Sequence, residues 1–478
     1  MRLPEHGLSK EHILEALDAF GQQDLRTHGG RVWAYVYDTG RQDVAEVGRQ
    51  AFMKYLDVNC LDPTVYPSAL QMERDVVRIG AEHLRGDENV VGHFTSGGTE
   101  SCMLAVKAAR GYARQYRPHI SQPEVVLPVT AHAAFHKACD FMDLKKVMVP
   151  VDPVTYKADA EAMRDAITDS TILMVGSAVS YAHGVVDPIF ELGKIAQEKD
   201  LLLHVDGCIG AFILPFFRKL GENVTDFDFT VPGVTSISMD YHKYAYTPKG
   251  ASVLLFRNKE IRKHMIYACK QWTGYTVINP TLQSTKSAGP LAACWAVLNY
   301  LGSDGYLDIA RRTLEAKRRI LAGLKEMPYI RVMGEPESSL IAFTSDEINV
   351  FHIIDEMKAL DWFVQPQLSG FGSKENVHLS LTAVSLDRCD EMLRDLRGAI
   401  ERAKRLSEQE DPGAIAKLLG AIDFAQFDAA GFREMLAMVG IQGTHLPERL
   451  AQINSLMNQL PANVAEQILI EYFNDLYV

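Results

Sequence analysis

Ser236-Ile237-Ser238-Met239-Asp240-Tyr241-His242-Lys243-Tyr244-Ala245-Tyr246-Thr247-Pro248-Lys249-Gly250-Ala251-Ser252 decides the fold. It opens as a strand, with Ser, Ile and Ser before Met239. It closes with Pro248 and Gly250, ahead of the apolar run Val253-Leu254-Leu255-Phe256, which reads as the next strand. His242-Lys243 therefore sits on a turn between two strands. A lysine packed among Tyr241, Tyr244 and Tyr246 is expected to be partly desolvated. Desolvation disfavours the ammonium, lowers its pKa and makes the amine a nucleophile. A solvated loop lysine is the commoner state of this residue type, so the assignment rests on what surrounds the turn.

Two upstream stretches supply that context. Leu201-Leu202-Leu203-His204-Val205-Asp206-Gly207 is an apolar run that ends in a carboxylate and a glycine. A parallel strand delivers a carboxylate to its carboxyl edge in this form. Thr95-Ser96-Gly97-Gly98-Thr99-Glu100-Ser101 is a glycine-rich turn that opens a helical run from Met103. Such a turn binds phosphate through free backbone N–H groups and the helix dipole. An imine-forming lysine, a carboxylate and a phosphate cradle are the three anchors that pyridoxal phosphate (PLP) requires.

From Val125 to about Asn258, short apolar runs alternate with helical stretches. The runs are Val125–Leu127, Lys146–Val149, Ile172–Val175, Leu201–Val205, Ser236–Ser238 and Val253–Phe256. This pattern predicts an α/β fold, a mainly parallel sheet with helices on both faces. Further on, Pro290–Leu301 and Gly305–Leu324 read as helices, the second leading to a smaller α+β domain. Ser407–Gly413 is a polar linker, and the chain from Gly413 to Val478 has only helical periodicity. Near the start, Ser9–Phe20 reads as an amphipathic helix capped by Ser9, with Leu14, Leu17 and Phe20 on one face. The boundaries expected are 1–57 for an N-terminal arm and helices, 58–303 for the large domain, 304–406 for the small domain and 407–478 for a helical extension.

The ordered set of these motifs resembles the sphingosine-1-phosphate lyases, within the fold-type I PLP enzymes related to the group II decarboxylases. The matching stretches are Thr95–Ser101, Ala131-His132-Ala133-Ala134-Phe135, His183–Pro188, His204-Val205-Asp206, Gly233–Ser238, His242–Gly250 and Ala292-Ala293-Cys294-Trp295-Ala296. The resemblance implies a large domain built on a mainly parallel seven-stranded sheet. It also implies a role for each matched position. Lys243 would carry the cofactor, Asp206 would pair with its pyridine nitrogen, and His132 (rather than the nearby His136) would stack on its ring. Gly98, Thr99 and Ser96 would hold its phosphate. His242 would either contact that phosphate or carry a proton. Tyr181 either lines the substrate pocket or belongs to the core.

The family's Gly-Ser-Arg-Pro-Gly loop, which reaches a second subunit's cofactor phosphate, is replaced here by Ser284-Thr285-Lys286-Ser287-Ala288, with Thr285 standing for Ser. The resemblance thus implies a homodimer. Tyr37 and Lys249 match substrate-phosphate ligands, and Tyr37 lies on an aromatic arm that either packs on a hydrophobic surface or helps to close the site. Asn59 matches the family's Asn-Pro-Leu-His-Pro, but Asp62 stands where its histidine should be. An acid beside a phosphate costs energy unless a cation compensates.

Composition narrows the partners. The 478 residues are 47% hydrophobic and 23% charged, which is ordinary for a globular enzyme of two or three domains. The net charge of −12 leaves no basic surplus for nucleic acid. The seven scattered cysteines, with no CxxC pair, fit reduced cytosolic thiols rather than a disulfide frame or a metal site. The first residues are not a signal peptide, and no run is long enough to span a bilayer. A cytoplasmic, soluble protein is expected, unlike the membrane-anchored eukaryotic members of the family. The expected activity is retro-aldol cleavage of a phosphorylated long-chain amino alcohol. An amino-acid decarboxylase on the same fold is the alternative, and a PLP-binding protein without turnover a weaker one.

Overall fold

A computed structural model describes residues 2–411, 413–420 and 446–477. The predicted alternation folds into a seven-stranded sheet. Its strands are β1 (Val91–Thr95), β2 (Glu124–Pro128), β3 (Lys145–Val149), β4 (Thr171–Ser177), β5 (Leu202–Asp206), β6 (Ser236–Asp240) and β7 (Ser252–Phe256). Their order is β1-β7-β6-β5-β4-β2-β3. β2 to β6 are parallel, whereas β7 runs antiparallel to both its neighbours. Every residue of β2, β4, β6 and β7 is buried, so helices must cover both faces. Alternate residues feed two apolar layers. Val126, Met174, Leu203 and Ile237 enter one, and Val125, Leu127, Leu173 and Val175 enter the other.

The strand β1 is not among the apolar runs legible in the sequence. Gly92 interrupts it, for a steric reason. A methyl group at that position would fall 2.5 Å from the carbonyl oxygen of Leu254 on β7. The strand can lie this close to β7 only without a side chain there.

The helix Gly289–Lys325 breaks at Gly302, where φ is 59° and ψ is −176°. The two helices expected there are thus two rods meeting at a glycine that tolerates positive φ. The second rod leads to an antiparallel sheet ordered Arg331–Val332, Leu340–Thr344, Asn376–Ser380, Gln365–Gln367. Helices Val350–Lys358 and Cys389–Ser407 back this sheet and share its core. The N-terminal arm enters the same core. Trp33 is fully buried, edge-on to Trp362 at 5.7 Å. Its N–H donates to Phe363 O at 2.8 Å and its carbonyl accepts from Ser380 N at 2.7 Å.

Ser9 caps the helix Lys10–Phe20 as read, its hydroxyl accepting from His12 N, while Leu14, Leu17 and Phe20 stay exposed. The helical periodicity after Gly413 appears as helices Ala414–Gly420, Ala451–Gln459 and Ala462–Leu476. The part of that prediction over 421–445 lies outside the described residues. Asp355 of the small domain accepts from Leu450 N and Ala451 N, both at 2.9 Å, and so docks the helix Ala451–Gln459. Among the described residues no helix is long and apolar enough to cross a membrane.

Candidate active site

The carboxyl ends of β4, β5 and β6 open onto a cavity of about 410 Å³. Ser96, Gly98, Thr99, His132, Tyr181, Asp206, His242 and Lys243 all line it. Residues separated by well over a hundred positions in the chain thus meet where ligands bind in parallel α/β sheets.

The turn after β6 is rigidly held. Tyr241 donates its hydroxyl to Val76 O at 2.7 Å, Tyr244 to Leu381 O at 3.0 Å, and Tyr306 to Ala245 O at 2.8 Å. His242 N donates to Ala251 O at 3.0 Å. These bonds satisfy buried phenols and fix where Lys243 emerges. The charge state of Lys243 corrects the sequence reading. Burial does push the amine down. The neighbouring groups, led by the buried carboxylate of Asp240 with Oδ2 2.8 Å from Nζ, together more than offset it and hold the amine above its ordinary pKa. Desolvation alone was the wrong criterion, because a strand-end acid three residues before a turn lysine reaches it directly. That Asp-x-x-Lys spacing was the available signal.

Asp206 closes β5 and is 7% exposed. Its Oδ1 accepts from Cys208 N at 3.1 Å and from Ser238 Oγ at 3.4 Å. The phosphate turn follows β1, and no side chain caps the helix Gly98–Tyr116 that it opens. A methyl group at Gly98 would fall 2.7 Å from Asp240 Oδ2 and 2.8 Å from Cys208 Sγ, so only glycine fits against this floor. Glu100, which sequence reasoning passed over, accepts from Ser96 N at 2.6 Å and from Leu282 N at 2.7 Å. It fixes the turn from within.

His132 caps the helix Ala133–Met142, Nδ1 accepting from Ala134 N at 3.1 Å. In the neutral ring the proton is therefore on Nε2. The ring of Tyr181 stacks on His378 at 4.6 Å, and its hydroxyl donates to Gln365 Oε1 at 2.6 Å. Burial pushes this phenol up to about 12, so it stays protonated near neutrality. In His242, Nδ1 accepts from Ala251 N at 3.2 Å and Nε2 faces Asp240 Oδ2 at 3.6 Å. Burial is the main force lowering its pKa.

The other sequence-derived positions lie off this cavity. Tyr37 packs edge-on to Tyr244 at 5.1 Å, and Lys249 Nζ lies 4.9 Å over the Tyr37 ring. Lys249 also donates to Tyr35 O at 3.3 Å. Asn59 Oδ1 accepts from Leu61 N. Asp62 is exposed, its Oδ1 accepting from both the hydroxyl (2.6 Å) and the N–H (2.8 Å) of Thr64. Those bonds hold its pKa below the ordinary value. Thr285 is exposed on the loop before the helix Gly289–Lys325.

Comparison with known proteins identifies the family. Residues 52–346 match the pyridoxal-dependent decarboxylase conserved domain. Residues 413–475 match a C-terminal domain of pyridoxal-dependent enzymes. The chain is 37% identical to the sphingosine-1-phosphate lyase of Dictyostelium discoideum over 88% of its own length and 78% of that protein's. The chain belongs to the sphingosine-1-phosphate lyase family of PLP-dependent enzymes. The Arabidopsis thaliana lyase is 36% identical over 88% of this chain and 77% of its own. The solved sphingosine-1-phosphate lyase of Burkholderia pseudomallei superposes with a TM-score of 0.81 at 34% identity, covering 89% of this chain and 97% of the other.

As a member of this family the chain is a lyase that uses PLP, and its residues fit that cofactor. The uncapped helix start suits a phosphate, the side-chain-free floor at Gly98 leaves it room, and the carboxylate and the amine open into the same cavity.

Proposed function

We propose that this lyase cleaves a phosphorylated long-chain amino alcohol of the sphingosine-1-phosphate type by retro-aldol scission, giving a long-chain aldehyde and phosphoethanolamine. The observation that carries the reading is the meeting of Lys243, Asp206 and the Ser96–Thr99 turn in one cavity, in a chain whose relatives bear that activity in their names. Bound PLP supplies an electron sink for the charge left by the broken carbon–carbon bond.

The chain's own residues do the rest. The Ser96, Gly98 and Thr99 end of the helix would hold the cofactor phosphate through backbone N–H groups. Asp206 would keep a proton on the ring nitrogen. His132, oriented by its cap to Ala134, would face the ring. Lys243 would hold the cofactor and give it up to the substrate amine. His242 serves as a proton carrier beside Lys243. Tyr181, held neutral by burial, orients the substrate rather than deprotonating it.

Lys249, over the Tyr37 ring, supplies the cation for the substrate phosphate, and Tyr37 supplies a neutral hydroxyl beside it. Asn59 and Asp62, each engaged in its own turn, receive no substrate contact in this reading. A second copy of the chain completes the site through the Thr285 loop, which makes the working unit a homodimer. The seven cysteines, all free, support a reducing compartment, the cytoplasm.

The test is chemical trapping. Borohydride reduction of the loaded protein, followed by peptide mapping, should place the cofactor on Lys243. Label on another lysine would overturn the assignment of the whole site.

A further inference from the structure

Asp240 is the last residue of β6 and is 1% exposed. Its Oδ2 stands 2.8 Å from Lys243 Nζ and 3.6 Å from His242 Nε2. Neither of its oxygens meets an aligned hydrogen-bond donor. The carboxylate also borders the phosphate turn: a side chain at Gly98 would begin 2.7 Å from the same Oδ2. A buried carboxylate is costly unless paired, and the Lys243 ammonium is its nearest cation, with His242 beyond it.

We infer that Asp240 is a positioning residue that parks Lys243. It holds the lysine's ammonium beside the phosphate turn whenever the amine is not linked to the cofactor, and so sets how readily Lys243 links and leaves. The inference rests on the reading of Lys243 as the cofactor lysine and deepens it.

Of the acids lining the cavity, Glu100, Asp206 and Asp240, it is Asp240 that lies within ion-pair distance of Lys243. Tyr37 from the arm, Cys102 from the helix Gly98–Tyr116 and Cys208 after β5 are all held above their ordinary pKa values and stay neutral near neutrality. His242 is pushed down, chiefly by burial, and is neutral there too. Lys249 carries like charge and opposes the Lys243 ammonium. Only a neutral amine attacks a carbonyl, so Lys243 must first shed a proton that Asp240 favours keeping. The neutral amine and the cofactor's carbonyl then condense with loss of one water. The shed proton returns to the nitrogen, and net charge is conserved. When the substrate amine later displaces Lys243, the same carboxylate collects the freed ammonium and draws it out of the way. His242 remains beside Asp240 while Lys243 is away.

The test is the rate of linking in protein stripped of PLP. The stripped protein is mixed with PLP across a pH series and quenched with borohydride, and labelled Lys243 is counted by peptide mass. In the native sequence the rate should climb about tenfold per pH unit, with no plateau below the ordinary lysine value of 10.5. Asp240→Asn should link at least about tenfold faster at neutral pH, which corresponds to a downward shift of about one pKa unit, and should level off at lower pH. Asp240→Glu should restore the native profile.

A merely structural role would change how much cofactor binds without moving the pH dependence. An Asn variant that links no faster, with an unmoved profile, overturns the inference. So does a plateau well below 10.5 in the native protein, a result that needs no variant to fold. If the native label falls on another lysine, the reading of Lys243 itself fails. If it falls on Lys243 with the profile unmoved by Asp240→Asn, only the parking role fails.

Discussion

Glu100 and Leu282, 182 residues apart, are joined by a 2.7 Å hydrogen bond from the Leu282 amide to Oε1. The other oxygen of the same carboxylate accepts from Ser96 N at 2.6 Å. One buried acid thus ties the phosphate turn to the loop that leads to Thr285. A loosening at either end is felt at the other.

Glu100→Gln should therefore weaken PLP binding. Hydrogen bonds to a buried charge contribute about 1.5–3 kcal/mol, and about 1.4 kcal/mol is a factor of ten. A loss of about tenfold or more in cofactor affinity is expected, read by equilibrium titration. An unchanged dissociation constant would show that the clamp does not shape the cradle.

Asp206→Asn should keep bound cofactor and lose most turnover. The amide can occupy the same place between Cys208 N and Ser238 Oγ. It cannot keep the ring nitrogen protonated, so the electron sink fails. Steady-state rates within a few-fold of the native protein would remove Asp206 from this role.

Acid should destabilise the fold through its buried histidines. Burial holds His83, His183 and His204 down at about 4 and His378 at about 3, against 6.5 for the free side chain. Between those values the unfolded chain binds more protons than the folded one, so their contribution is full above 6.5 and is lost as pH falls towards 4. Asp187 works the other way, burial raising it to about 6. The four histidines outnumber it. The melting temperature should drop steadily as pH falls through this window, and a flat or rising profile would contradict the assignment.

The active species should sediment as a dimer. Thr285 is exposed on a loop tied to the phosphate turn through Leu282 and Glu100, and in our reading it reaches a second copy's cofactor phosphate. Full activity in a monomeric species, measured by sedimentation at assay concentration, would rule this out.

Much of this was legible in the sequence, for identifiable reasons. β4 and β5 announce themselves as apolar runs, and Asp206 stands out because it ends such a run before a glycine. The break at Gly302 was legible because a helical pattern stops on one side of it and restarts on the other. β1 was hidden by Gly92, whose importance lies in what Leu254 O would strike. The reversed direction of β7 was hidden because an apolar run reads the same either way. Asp240 and Glu100 were hidden for a third reason. Each matters through a partner that only the fold brings near, and Asp240 reverses the charge state that desolvation alone predicted for Lys243.

The central claim is the bond that breaks. The PLP-loaded protein should be incubated with sphingosine-1-phosphate and, separately, with free amino acids, with long-chain aldehyde, phosphoethanolamine and carbon dioxide all measured. The account predicts aldehyde and phosphoethanolamine in equal amounts, abolished in Lys243→Ala, and no carbon dioxide. Carbon dioxide from an amino acid, with no aldehyde from the phosphorylated base, would contradict it.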